Sequence, residues 1–187
     1  MRSKDITVSY CKGEKDNKVA FVFLCPGQIE EILNKPICGA TGAHLECLIL
    51  ELQANESLAN YFKYNCRYKY RIINLSENVY YDGSKNGIKP NKLQVESEEN
   101  IKRLRDAMEG MELILVFDIQ YKNIFQNQIL FGDKDIIYSR HLSSRSINQI
   151  DKDINSIKIV NNSEGNLKRR IKVIAKEIIE QFKRDEV

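Results

Sequence analysis

Two histidines, one asparagine and a pair of glutamates are the residues of this chain whose types and positions could do chemistry. His141 stands in "IIYSRHLSSRSIN", just beyond an apolar run, and Ser143, Ser144 and Arg145 follow it. An imidazole there can donate a hydrogen bond to a developing anion, while small hydroxyls and backbone amides suit a phosphate. The alternative is a satisfied histidine before a serine-rich turn. Asn74 ends the apolar run in "YRIINLSENVYY". Its amide can present a donor and an acceptor to one edge of a nucleobase, or simply close a turn. Glu30 and Glu31 follow the turn Cys25-Pro26-Gly27. One could hold a water molecule, or both could favour the start of a short solvated helix, where the macrodipole welcomes negative charge. His44 lies beside the apolar stripe of a helical segment and reads as structural.

These residues must be positioned by something. Four near-continuous apolar runs, Val19–Leu24, Tyr70–Leu75, Leu113–Phe117 and Ile136–Tyr138, read as strands buried on both faces. Helical spacing separates or follows them. Leu45, Leu48, Ile49 and Leu52 share one face, as do Ile101, Leu104 and Met108. Leu167, Ile171, Ile174, Ile178 and Phe182 form a carboxy-terminal stripe. Strands alternating with helices in one chain of 187 residues predict a single α/β domain spanning 1–187. The expected architecture is three-layer α/β/α with a central four-stranded parallel sheet. In such sheets ligands sit beyond the carboxyl ends of the strands, which are here Leu24–Gly27, Asn74–Asn78, Asp118–Gln120 and Arg140–Ser144. The polar stretch Tyr80–Gln94 is the longest expected irregular connection, and such loops tend to be functional.

Composition excludes several classes. A charged fraction of 29% and a hydrophobic fraction of 42% are ordinary for a globular protein. A net charge of +3 does not imply nucleic acid without local clustering. No apolar run approaches the ~20 residues needed to span a bilayer, and the first residues lack the apolar core of a signal peptide. A cytoplasmic protein without a membrane partner is expected. The five cysteines include no C-x-x-C pair, which argues against a zinc ribbon or a secreted disulfide framework. No metal or other cofactor is expected. The loop after Leu24 carries neither the P-loop nor the dinucleotide glycine spacing. "YFKYNCRYKYR" (Tyr61–Arg71) interleaves cations with aromatics, a composition suited to backbone phosphates and stacked bases, or to a solvated edge. "NLKRRIK" (Asn166–Lys172) reads as the polar face of the last helix.

Taken in order, the motifs resemble those of the uracil-DNA glycosylase superfamily, especially its family-4 and family-5 branches. In "FLCPGQIEEILNKPICGATGAHL", Pro26, Gly27, Glu30, Pro36, Gly39, Gly42 and Leu45 match that family's first motif without a gap. Asn74 matches its strand-end asparagine, and "NGIKPNK", with Lys89, is similar to its proline-containing loop. "RHLSSRSIN" is similar to its H-P-S motif, with Leu142 in place of proline. The resemblance spans roughly 19–148 and implies hydrolysis of the bond between a base and deoxyribose in single- or double-stranded DNA, by a monomer. It implies that Asn74 reads the base and His141 donates to its oxygen. Leu24, Cys25, Pro26, Gly27 and Ile37 would wrap the pocket, while Gly39, Gly42, Lys89, Ser143, Ser144 and Arg145 would approach DNA. Glu30 would be the remaining candidate acid.

Departures from the family are as informative. Leu24 stands where family 4 places its water-activating acid, and Ala40 where family 5 places an aspartate. Ile37 replaces the aromatic residue that stacks on the base, and the iron–sulfur cysteines are absent. The expected function is therefore a monofunctional DNA base glycosylase. Its rivals are a nucleobase-binding module that has lost the acid, and an unrelated nucleotide-binding α/β domain.

Overall fold

The structure, a computed structural model, describes residues 5–125, 131–132, 134–161 and 163–185. Its strands are β1 (Tyr10–Cys11), β2 (Val19–Phe23), β3 (Arg71–Asn74), β4 (Leu113–Val116) and β5 (Asp135–Tyr138). They form one sheet in the order β1-β3-β2-β4-β5. β2 to β5 are parallel, whereas β1 pairs antiparallel with β3 through Tyr10↔Ile73 and Cys11↔Ile72. The expected four-stranded, all-parallel sheet is thus corrected to five strands with an antiparallel edge. A two-residue strand has no periodicity to read. Its physical role is to cover an otherwise open edge: the Asn74 amide donates to the Ser9 carbonyl at 2.9 Å.

The helices are α1 (Gln28–Leu33), α2 (Gly39–Gln53), α3 (Lys92–Val95), α4 (Glu98–Ala107), α5 (Lys122–Phe125), α6 (Ser144–Ile147) and α7 (Glu164–Asp185). The alternation of side chains along each strand divides the core in two. Phe21, Ile72, Leu115 and Ile137, aligned by strand register, face Leu45, Leu48 and Ile49 of α2 and Ile171, Ile174 and Ile178 of α7. Val22, Ile73 and Val116 face the other way, toward Leu104 of α4 and Met108 just beyond it. Both layers are fully buried at these positions, and each such side chain contributes roughly 1.5–3 kcal/mol. α4 is started by the Ser97 side chain, which accepts from the Asn100 amide, with Glu98 and Glu99 in its first turn.

The backbone from Tyr80 to Asn91 is irregular, as expected, before α3 begins at Lys92. It folds back over the end of β2, where the Tyr80 amide donates to the Pro26 carbonyl at 2.9 Å. The connection leaving β2 runs to β3 on one side, and that leaving its neighbour β4 runs to β5 on the other. That divergence opens the crevice where α/β sheets bind ligands.

Candidate functional site

At the carboxyl edge of the sheet, one row of side chains crosses four strands. Phe23 is paired with Asn74 across β2 and β3. The Val22↔Val116 register carries Phe117 beside Phe23, and their rings stack at 4.8 Å and 20°. The Val116↔Tyr138 register then carries Ser139 beside Phe117. The row Asn74–Phe23–Phe117–Ser139 lies on the face packed by α2 and α7. His141, two residues on, sets its ring edge-on to Phe23 at 6.1 Å and 84°. Asn74 reaches Phe23 from the β3 side and His141 from the β5 side. The sequence-derived pair therefore shares one neighbour.

The polar members of this group are unusual. Asn74 is fully buried, and its Nδ2 donates to the Ser9 carbonyl at 3.3 Å. Its Oδ1 has no hydrogen-bond partner among the described residues, nor has the buried Oγ of Ser139. Each unpaired buried polar atom costs about 1–3 kcal/mol and needs an explanation; Arg67 Nε and Arg140 Nε are likewise without a partner among the described residues. In His141, Nδ1 lies 3.0 Å from the amide nitrogen of Ser143. An amide can only donate, so Nδ1 is an acceptor and the proton of the neutral ring resides on Nε2. Burial pushes the imidazole below its ordinary pKa, with the nearby charge of Asp118 acting in the opposite direction. The ring is thus a neutral Nε2–H donor. Its loop is anchored from α2, where His44 Nδ1 donates to the Leu142 carbonyl at 2.7 Å. The structural reading of His44 holds, and Leu142 is itself a fully buried core residue.

The loop from β2 to α2 is built around Glu30. Its Oε2 accepts from the Gly27 amide at 3.0 Å and its Oε1 from the Cys38 amide at 2.7 Å. The carboxylate spans α1 like a staple, joining the turn before it to the start of α2. Glu30, the candidate acid of the sequence, thus has each oxygen engaged by a backbone amide. Glu31 is exposed and accepts from the Tyr81 hydroxyl at 2.9 Å. The staple holds Ile37, a buried β-branched residue, at φ +49°, a conformation costing about 1–3 kcal/mol. Gly42 lies inside α2, where a Cβ would stand 2.3 Å from the Ile37 carbonyl oxygen. It is required for this close packing rather than for contact with a phosphate. Gly39, at φ +56°, is exposed at the first turn of α2. Pro26 is buried and Cys25 half-buried, its thiol pushed up to about 12 by burial and by the charges of Asp118 and Glu30.

Around these groups the rim is mixed. Leu24, Lys89, Pro90, Gln120 and Tyr121 line a cleft of about 490 Å³ beyond β2 and β4, within the range of small-ligand sites. Leu24 packs with the core on the α4 side, so this cleft adjoins the row from the opposite face of the sheet. Ser143 caps α6, its side chain accepting from the Ser146 amide at 3.3 Å. Ser144 and Arg145 are exposed. The tyrosine-rich segment is used internally. Phe62 and Tyr70 are fully buried, Arg67 pairs with Glu46 at 2.8 Å, and Arg71 donates to the carbonyls of Lys12 and Ala107. On α7, Arg170 is buried against the Ile150 and Asn161 carbonyls and Arg169 pairs with Asp153 at 2.7 Å.

Asp118, at the strand end Asp118–Gln120 marked in the sequence, accepts from the Gln120 amide at 3.3 Å and from Gln120 Nε2 at 3.0 Å. Ser139 was not legible in the sequence, because only strand register reveals that it completes the row. Among the described residues there is no cluster of three or more His, Cys, Asp and Glu side chains able to hold a metal ion, and no helix is long and apolar enough to cross a membrane. No protein-family model matches the chain, and a search of the curated proteins finds no similar sequence.

Proposed function

We propose that this chain is a DNA base glycosylase of the uracil-DNA glycosylase fold, hydrolysing the N-glycosidic bond of a deaminated base. One observation carries the reading: Asn74, whose Oδ1 has no partner among the described residues, and the neutral His141 ring both adjoin Phe23, which stacks on Phe117. The chemistry follows from which atoms are available. With Nδ2 committed to Ser9, Oδ1 is an acceptor seeking an N–H. Deamination of cytosine or adenine turns a ring nitrogen from acceptor to donor and adds a carbonyl beside it. The uracil or hypoxanthine edge so formed suits Oδ1, and its parent ring nitrogen does not. His141 Nε2–H donates to an oxygen of the departing base as negative charge develops there, an interaction of the kind worth about 3–4 kcal/mol. Exposed Ser144, Arg145 and Lys89 are suited to phosphates of a strand whose base has left the stack.

The test is cleavage of oligonucleotides carrying one uracil, hypoxanthine, xanthine or hydroxymethyluracil, with alkali to reveal abasic sites. The reading expects cleavage of at least one, reduced about 10²–10³-fold by His141→Ala. A specific observation favours a second reading, a nucleobase-binding module of the same fold: Leu24 and Ala40 are apolar and the Glu30 carboxylate is occupied by two amides. Binding of these oligonucleotides without cleavage of any of them would select that module.

A further inference from the structure

The asparagine at the end of β3 is gripped from behind by α4. Arg103 Nη2 donates to the Asn74 carbonyl at 2.9 Å and to the Leu75 carbonyl at 3.0 Å. Asn100, one turn earlier on the helix, donates from Nδ2 to the same Leu75 carbonyl at 2.9 Å and to the Val95 carbonyl at 2.7 Å. The two side chains are joined to each other, with Arg103 Nε donating to Asn100 Oδ1 at 2.8 Å. The Glu77 carboxylate lies 3.9 Å from Arg103 and is largely exposed, so backbone carbonyls rather than an ion pair hold the guanidinium.

Resting on the base-reading role of Asn74 in the function proposed above, we propose that Arg103 is a positioning residue. It fixes the Asn74–Leu75 peptide, and thereby the direction in which Asn74 Oδ1 meets a base edge. The Asn74 side chain has little of its own to hold it. Among the described residues it makes one bond, Nδ2 to the Ser9 carbonyl at 3.3 Å, and Oδ1 has no partner. The backbone around it is held on both sides. The Asn74 amide donates to the Ser9 carbonyl at 2.9 Å and the Leu75 amide to the Phe23 carbonyl at 2.8 Å, while the carbonyls of both residues accept from Arg103. A side chain's rotamer depends on the backbone that carries it, so the aim of Oδ1 is set by that grip.

The guanidinium suits this task. One nitrogen bridges both carbonyls while Nε remains for Asn100, so a rigid, charged plane ties the strand end to the helix. The packing of α4 has other sources: Ile101 and Leu104, with Met108 just beyond the helix, meet the sheet through the apolar layer. Arg103 approaches from that layer, opposite the face on which Asn74 adjoins Phe23. It therefore holds the residue without competing with a base for Oδ1.

The test is a double-mutant cycle read by binding. Oligonucleotides carry one 2′-fluoro-deoxyuridine or 2′-fluoro-deoxyinosine, whose glycosidic bonds resist hydrolysis, or the parent cytosine or adenine nucleotide. The deaminated base that wild type prefers more strongly is carried through. Arg103→Met should weaken binding of that base about tenfold, move binding of its parent by less than about threefold, and add less than about twofold once Asn74 is replaced by alanine. Arg103→Lys, whose ammonium can donate to both carbonyls, should stay within about threefold of wild type. Urea unfolding of each variant separates lost folding from lost affinity. If Arg103→Met does not fold, Arg103→Gln, a shorter and neutral donor, is read against the same limits. Unchanged affinity in the folded Arg103→Met protein overturns the proposal, because a purely structural arginine lowers stability alone. A loss of about tenfold that persists in the Asn74→Ala background also overturns it, because Arg103 then acts through another group. The readout is binding, so absence of cleavage would overturn the glycosylase reading alone. A wild type that prefers neither deaminated base overturns the roles of Asn74 and Arg103 together.

Discussion

Two buried asparagines sit at opposite ends of the sheet, and their environments differ. Asn17 precedes β2 at the amino edge, with its Nδ2 donating to the Val19 carbonyl at 2.8 Å and its Oδ1 accepting from the Val19 amide at 3.1 Å. Asn74 ends β3 at the carboxyl edge, with one long bond through Nδ2 and an Oδ1 that has no partner among the described residues. Both are almost wholly excluded from solvent. The same side chain is thus complete where the sheet begins and incomplete where it ends. A fold selected only for stability would satisfy both. The contrast is one of hydrogen bonding, complete at the amino edge and incomplete at the carboxyl edge, where the proposed base site lies.

The sharpest way to break this contrast is to remove the donor opposite Asn74. His141→Ala should lower single-turnover cleavage about 10²–10³-fold, while Asn17→Ala should leave the rate per folded molecule unchanged. Asn17→Ala should instead cost about 2–3 kcal/mol of stability by stranding a buried amide, read as a urea midpoint shift at constant slope.

Asn74→Ala gives the reverse pattern. Its stability change should stay within about 1 kcal/mol, because the Ser9 carbonyl keeps the Asn74 backbone amide and the lost side-chain oxygen has no partner among the described residues. A stability loss as large as that of Asn17→Ala would erase the distinction between the two edges.

Glu30→Gln tests the staple. Losing one of two charge-assisted bonds should cost about 1–2 kcal/mol, without the rate collapse of an acid removed from the reaction.

The smallest effect is a pH dependence. His141 titrates below its ordinary value near 6.5, so its neutral form contributes stability fully above that value. The contribution disappears as pH falls through the folded value, where protonation also removes the Nδ1 acceptor used by Ser143. Wild type should therefore lose more thermal stability between pH 7 and pH 5 than His141→Gln. Equal losses would show that the ring is not held neutral.

How much of this was legible in the sequence depends on the physics behind each signal. The parallel strands were readable because Val19–Phe23 and Leu113–Val116 are buried on both faces and so carry unbroken apolar runs. The stripes of α2, α4 and α7 were readable because each packs one face on the sheet. β1 was not, since two residues carry no pattern and its pairing depends on β3. At Tyr61–Arg71 composition could not tell a surface from a packed edge: Tyr70 is buried and Arg67 pairs with Glu46, while Lys63 and Lys69 are exposed. Asn74 and His141 were found as strand ends. Their common neighbour Phe23, and Ser139 beyond it, emerged only from register. Motif spacing suggested an acid at Glu30, but an acid's role depends on what already occupies its oxygens.

The central claim is that Asn74 and His141 are two ends of one base site, and the most direct measurement is NMR on protein labelled with ¹⁵N. The side-chain amide of Asn74 and the Nε2 of His141 would be followed while an oligonucleotide carrying 2′-fluoro-deoxyuridine, whose glycosidic bond resists hydrolysis, is added. Both resonances should shift along one saturation curve, and an oligonucleotide with cytosine in place of uracil, whose ring nitrogen accepts rather than donates, should leave them unmoved. Saturable binding that shifts neither, or only one of the two, would contradict the claim.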